Sequence, residues 1–129
     1  LDHVTWSSPS LGWSSGPTAL KLACDHGIKE IYMLGFDYQG LAVDAKKNRW
    51  HLNNIYGDTR NYKKNNDEAT FYGNWMNQTK RCLQDYQDIN FHRVIPKGWF
   101  KPNDIDRPDN IDHPTTEDFL AKFDLQIKI

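Results

Sequence analysis

A nearly continuous apolar run at residues 28–34 most strongly limits what this chain can fold into. Apolar side chains on both faces of a strand are typical of a parallel sheet that is covered on both sides. The run directly follows a helical pattern, Thr18 to His26, which Gly27 ends. The stretch from Gly12 to Tyr38 therefore predicts loop, helix, turn and buried strand. We expect the rest of the chain to pack around this unit, with any ligand at its loop ends.

Three further elements are predicted in the second half of the chain. From Asp67 to Gln87, apolar residues recur every three or four positions, which predicts an amphipathic helix of about five turns. Ile89 to Ile95 alternates between apolar and polar residues, as a second strand does. Thr115, with Asp118 three residues later, matches a capping box and predicts a short terminal helix.

The remaining segments have weaker patterns. Leu41 to Val43 and Trp50 to Tyr56 are predicted as the arms of a hairpin, with the polar stretch between them as its turn. Tyr56 to Asn66 lacks periodicity and predicts a long loop. Lys97 to Asp112 is rich in Pro and Asp and is predicted as a connection, while His3 to Trp6 forms a short β-prone run.

Strands and helices in this order predict an α/β layered domain. We expect a small three-layer Rossmann-like domain with a mostly parallel sheet, either whole or truncated, with its two main helices on the sheet faces. The 129 residues suit a single domain spanning residues 1–129.

Composition and charge exclude several classes of function. The formal net charge is −1, which argues against broad electrostatic binding of nucleic acid. No apolar run approaches the ~20 residues that a membrane span needs. Cys24 and Cys82 fall on apolar helical faces, which favours free buried thiols over a disulfide. We expect a cytoplasmic protein that needs no metal and no cofactor.

The two ends of the Gly12 to Tyr38 stretch carry the first candidate site residues. Ser14, Ser15 and Gly16 precede the helix, where free N–H groups and partial positive charge suit a phosphate or carboxylate. The alternative is an ordinary helix cap. Asp37, with Tyr38, follows the buried strand, where ligands of open α/β sheets bind. Asp37 could accept hydrogen bonds from sugar hydroxyls or act as a base. Alternatively, it could be a turn residue whose side chain bonds to nearby backbone.

Later residues supply the remaining candidates. Tyr56, Arg60 and Tyr62 lie on the predicted long loop, where they would cover a ligand as a lid; the alternative is a solvated loop. His113 precedes the terminal helix and could act as a general base, although such a histidine is more often a surface or capping residue. His92 lies in a strand pattern, where packing is the default.

Residues 12–38 resemble a segment of the bacterial sialyltransferases (glycosyltransferase family 42). In that family a Ser-Gly loop opens a helix rich in small residues, which is followed by Gly, Lys-Glu-Ile-Tyr and a strand ending in Gly-x-Asp. Related patterns occur in the Rossmann-type family of 6-hydroxymethylpterin diphosphokinase-like proteins. The matching positions here are Ser15-Gly16, Gly27, Lys29 to Tyr32, and Gly35 to Asp37.

This resemblance implies a nucleotide or nucleotide-sugar ligand. Ser15 and Gly16, with Ser14 beside them, would contact the cytidine monophosphate portion of a donor. The family also uses tyrosines to hold the phosphate and a later histidine as base, and Tyr56, Tyr62 and His113 would be the counterparts here, although no motif aligns them. A phosphate transferase acting on pterins or nucleotides is a further, weaker implication.

One part of the family pattern is missing. The sialyltransferases begin with a strand and a Gly-Asn-Gly-type loop that supplies the other half of the donor site, and nothing comparable precedes Leu11. By this resemblance we expect either a fragment or a shortened relative, viral or environmental in origin. A shortened relative would complete its site in a homo-oligomer, or would have lost catalysis and serve as a protein-interaction module.

Overall fold

The computed structural model describes residues 12–38, 41–44, 49–51, 60, 73–99, 105 and 108–125. The predicted β-prone run at residues 3–6 and nearly all of the predicted loop at 56–66 lie outside them. The elements within the described residues are, in chain order, α1 Ser15–Asp25, β1 Glu30–Met33, β2 Leu41–Asp44, β3 Arg49–His51, α2 Gly73–Asp85, β4 Asn90–Arg93, β5 Ile111–Asp112 and α3 Thr116–Lys122.

A three-stranded parallel sheet in the order β1-β4-β5 forms the centre of the fold. Ile31 pairs with Phe91, which in turn pairs with Ile111. The predicted α/β class and parallel sheet are therefore confirmed. The sequence did not predict β5, which lies at the end of the supposed connection. A strand of two residues has no periodicity to detect, and only its pairing with β4 defines it.

The two predicted strands are shorter than their apolar patterns. β1 begins at Glu30 and ends at Met33, and Ile28 and Leu34 are 47% and 57% exposed. The predicted strand from Ile89 to Ile95 is reduced to β4, followed by an isolated parallel bridge at Ile95. Apolar residues thus extend beyond the residues that pair in the sheet.

Helices α1 and α2 pack together over one face of the sheet. Alternation along the strands places Ile31, Met33 and Phe91 on that face. They form one core with buried residues of both helices, namely Leu20 and Cys24 of α1 and Cys82 and Leu83 of α2. The two main helices therefore do not take opposite faces. The crossover rule constrains only α2, which connects the parallel strands β1 and β4, whereas α1 precedes the sheet.

The opposite face of the sheet is covered by α3. The ring of Tyr32 contacts those of Phe119 and Phe123, with centroid distances of 5.6 and 5.0 Å. Tyr32 also stacks on His92 at 4.5 Å, and His92 Nδ1 lies 2.6 Å from an Asp112 carboxylate oxygen. This placement agrees with the prediction that His92 packs within a strand. Helices, sheet and α3 make three layers.

Strands β2 and β3 form a separate two-stranded antiparallel sheet. Leu41 pairs with His51 and Ala42 with Trp50, which confirms the antiparallel pairing of the predicted hairpin. The second arm is described at Arg49–His51, whereas residues 45–48 of the predicted turn and residues 52–56 of the predicted arm lie outside the described residues.

Both cysteines are buried free thiols, as predicted. Burial raises the pKa of Cys24 to about 11 and that of Cys82 to about 12. Burial thus disfavours the thiolate form of both cysteines.

No helix in the described part of the chain is long and apolar enough to cross a membrane. These residues also contain no group of three His, Cys, Asp or Glu side chains that could hold a metal ion.

Thr115 is the N-cap residue of α3 and forms the predicted capping box. Its hydroxyl accepts from the Asp118 amide at 3.1 Å, and the Asp118 carboxylate accepts from the Thr115 amide at 3.3 Å. Replacing Thr115 by alanine is expected to lower the free energy of unfolding by about 1 kcal/mol, as loss of an N-cap does. Urea denaturation measures this, with Thr116→Ala as the matched control inside the helix. Equal losses for the two variants would contradict a capping role.

Candidate functional site

A cavity of about 590 Å³ lies between the start of α1 and the segment that follows β1. It brings together the two ends of the Gly12 to Tyr38 stretch. Helix α1 and strand β1 are joined by a tight turn and run in opposite directions, so the helix start returns to the carboxyl end of the strand. The residues that line it are Ser14, Ser15, Gly16, Pro17, Leu34, Gly35, Phe36, Asp37, Tyr38 and Trp75.

The start of α1 leaves its positive end without an acidic partner from the first turn. Ser14 is the N-cap residue, but its hydroxyl makes no capping hydrogen bond. Its amide instead donates to Gln78 Oε1 of α2 at 3.0 Å, which ties the helix start to α2. The first turn contains no Asp or Glu. A helix start of this kind is complementary to an anion.

Gly16 has a packing role within the cavity wall. A Cβ added there would lie 3.4 Å from two carbons of the Phe36 ring. A side chain at position 16 would thus contact Phe36 as well as face the cavity. A valine there would therefore affect the packing of Phe36 and the space for a ligand together.

Asp37 lies half-buried on the cavity wall opposite the start of α1. Its backbone carbonyl accepts a hydrogen bond from Arg93 Nη2 at 2.9 Å. The preceding carbonyl, that of Phe36, accepts from Arg93 Nε at 2.5 Å. The backbone around this carboxylate is thus held from inside the protein.

Tyr38 is buried beside Asp37, with a backbone φ of 53°. Its hydroxyl hydrogen-bonds Thr79 Oγ1, which donates to the Trp75 carbonyl at 2.9 Å. Burial raises the pKa of Tyr38 to about 12. Tyr38 therefore contributes to the cavity wall, while its hydroxyl serves a contact within the protein.

Leu34 and Trp75 line the cavity, although the sequence pointed to neither as a site residue. Leu34 is 57% exposed and Trp75 is 39% exposed, so both present apolar surface. Trp75 fits the apolar period of α2 as well as a core residue would. Its position at the cavity is decided by where α1 and the segment after β1 end, and no local signal carries that information.

The other predicted site residues are not brought to this cavity by the described part of the chain. His113 Nε2 lies 3.2 Å from the Ile105 carbonyl and Nδ1 lies 3.3 Å from Arg93 Nη1. Arg60 is exposed in a turn. Tyr56 and Tyr62 lie outside the described residues. A base role for His113 and a lid role for the other three stay predictions.

Comparison with known proteins does not narrow the choice of function. The chain matches no protein-family model, no curated protein and no solved structure. A function is therefore argued from the geometry of the cavity.

Proposed function

We propose that the cavity binds a nucleotide or nucleotide-sugar. The observation that carries this proposal is that the start of α1 and Asp37 line the same cavity. One wall is complementary to negative charge and the other carries a carboxylate. A phosphorylated sugar has the matching pair of groups, a phosphate and vicinal hydroxyls.

The chemistry of the lining residues suits three parts of such a ligand. The phosphate fits the N–H groups at the start of α1, near Ser15. A carboxylate such as that of Asp37 accepts hydrogen bonds from sugar hydroxyls. The indole of Trp75 is a surface on which a base stacks. A volume of about 590 Å³ lies within the usual size of small-molecule sites.

A glycosyl transfer, as in the sialyltransferases, is the finer form of this proposal. It requires a base for the acceptor hydroxyl and stabilisation of the leaving phosphate. Asp37 is the candidate base that lies in the cavity, and the start of α1 would stabilise the leaving phosphate. His113 would need to exchange its contacts with Arg93 and Ile105 before it could serve as the base.

Isothermal titration with cytidine monophosphate and a cytidine nucleotide-sugar tests the binding proposal. Asp37→Asn is expected to weaken binding about tenfold, because hydrogen bonds from the sugar hydroxyls then lose their charged acceptor. Asp109→Asn is the matched control, since Asp109 is exposed and outside this cavity. The absence of binding to the wild-type protein, with or without magnesium, would contradict the proposal. Binding that strictly requires magnesium would favour a phosphate transferase instead.

A protein-interaction module is the second candidate, and the exposed apolar surface of Leu34 and Trp75 favours it. Aromatic residues are enriched at protein interfaces. Size-exclusion chromatography with light scattering distinguishes the two functions. A homo-oligomer without nucleotide affinity, which dissociates on Trp75→Ser substitution, would support the module, whereas a monomer that binds nucleotide would rule it out.

A further inference from the structure

Arg93 is a fully buried arginine in the central strand β4, with 0% of its surface exposed. It pairs in register with Met33, the last residue of β1, and therefore lies just inside the segment that forms the cavity wall. Burying a guanidinium costs free energy unless its donors are used. The alternating pattern of β4 predicts a buried residue here, and a cation at such a position calls for a specific role.

The guanidinium contacts three consecutive residues of the cavity wall. It donates from Nε to the Phe36 carbonyl and from Nη2 to the Asp37 carbonyl, as given above. It also lies 5.4 Å from the centroid of the Tyr38 ring. A planar group with several donors in fixed directions holds two successive carbonyls in a defined arrangement, whereas the rotatable donors of a lysine ammonium, on a flexible chain, do not impose those directions.

The backbone at these residues needs such support. Tyr38 has a φ of 53°, in the left-handed region that side chains other than glycine rarely adopt. Conformations of this kind persist only where the surroundings determine them. Arg93 from the sheet and Thr79 from α2 provide those contacts.

The far side of Arg93 reaches the segment that follows β5. Because the Ile105 carbonyl can only accept, His113 Nε2 donates to it, and His113 Nδ1 is left to accept from Arg93 Nη1. The neutral imidazole thus connects Arg93 to Ile105, which is itself fully buried. Through one side chain, the cavity wall is joined to the chain around β5.

We propose that Arg93 is a positioning residue that sets the orientation of Asp37 in the cavity and, through His113, connects that orientation to the segment after β5. Arg93 does not line the cavity and acts on the ligand only through Asp37. The inference rests on the proposed nucleotide site for its effect on binding, and on the contacts of residues 36–38 for its effect on the wall itself.

A double-mutant cycle with cytidine monophosphate tests this inference. Arg93→Lys keeps the charge but loses the fork that holds two carbonyls, so we expect about tenfold weaker binding by calorimetry. In the Asp37→Asn background the same substitution is expected to change the dissociation constant less than twofold, because Arg93 acts through Asp37. Full additivity of the two losses would overturn the proposal. Arg81→Lys, on the exposed face of α2, is the matched control and should leave binding unchanged.

A ligand-free measurement separates this inference from the proposed function. In Arg93→Lys the amide of Tyr38 is expected to exchange its hydrogen at least tenfold faster than in the wild type, while that of Phe91 keeps its rate. Unchanged exchange at Tyr38 would overturn the inference even if nucleotide binds. Faster exchange at Tyr38 in Arg93→Lys, together with a wild-type protein that binds no nucleotide, would uphold the positioning role and contradict only the proposed function.

If the Arg93→Lys variant does not fold, a second pair of substitutions, at His113, tests the same inference. His113→Leu removes the acceptor for Arg93 Nη1, and His113→Gln restores an acceptor and a donor of similar reach. We expect faster exchange at Tyr38 in the leucine variant and recovery toward the wild-type rate in the glutamine variant. Equal rates in both variants would contradict the connection to the segment after β5.

Discussion

Replacing Phe91 by alanine is expected to lower the free energy of unfolding by about 3–5 kcal/mol, the usual cost of removing a buried phenylalanine. Phe91 is fully buried in the central strand, and it pairs with β1 on one side and β5 on the other. Its ring belongs to the core that the sheet shares with α1 and α2. A void at this point removes packing contacts between the sheet and both helices, α1 and α2.

Urea denaturation followed by far-ultraviolet circular dichroism measures this loss. Phe123→Ala is the matched control, because Phe123 is 45% exposed and lies at the end of α3. We expect the control to lose about 1 kcal/mol or less. A loss for Phe91→Ala no larger than that of the control would contradict the central position of β4 in the core.

Raising the pH above 9 is expected to destabilise the protein strongly. Burial raises the pKa of Cys24 from 9.0 to about 11, and that of Cys82 from 9.0 to about 12. Burial likewise raises the pKa of Tyr38 from 10.0 to about 12. All three groups stay protonated in the native state at a pH where the unfolded chain releases their protons.

Proton linkage determines whether the free energy of unfolding rises or falls with pH. Between pH 9 and about 12 the native state binds more protons than the unfolded state, so stability falls as pH rises. Each unit of pKa difference corresponds to about 1.4 kcal/mol. Three buried groups together are therefore expected to remove several kcal/mol by pH 11, on the order of the whole stability of a small domain.

Urea denaturation at pH 8, 9, 10 and 11 measures this dependence. Cys82→Ala creates a small void and lowers stability at every pH, but it should also flatten the decline above pH 9, since one of the three groups is gone. A free energy of unfolding that stays constant to pH 11 would contradict the burial of these groups.

Local sequence patterns were sufficient to predict most of the helices and strands. Gly27 ends α1 where predicted, and Thr115 with Asp118 caps α3 as predicted, because a turn glycine and a capping box act within a few residues of chain. The amphipathic period of α2 was readable as well, and its described part ends at Asp85, two residues before the predicted end. By contrast, β5 is defined only by its pairing with β4, which depends on residues far apart in sequence.

The residues of the candidate site were likewise predictable only in part. Ser14 to Gly16 and Asp37-Tyr38 were singled out from the sequence, because a helix start and the segment after a buried strand have recognisable chemistry. That they line one cavity depends on the antiparallel packing of α1 and β1. Trp75 and Arg93 were not singled out as site residues. Trp75 fits the apolar period of α2, and the role of Arg93, a cation at a buried position of β4, depends on its contacts with residues 36–38.

By itself the sequence determined the α/β class, the two free buried thiols and the two ends of the Gly12 to Tyr38 stretch, because periodicity, turn chemistry and helix capping are local properties of the chain. Only the tertiary structure decided that both main helices share one face of the sheet and that Arg93 holds the cavity wall. Those features depend on contacts between residues distant in sequence, and such contacts exist only once the strands have paired and the helices have packed.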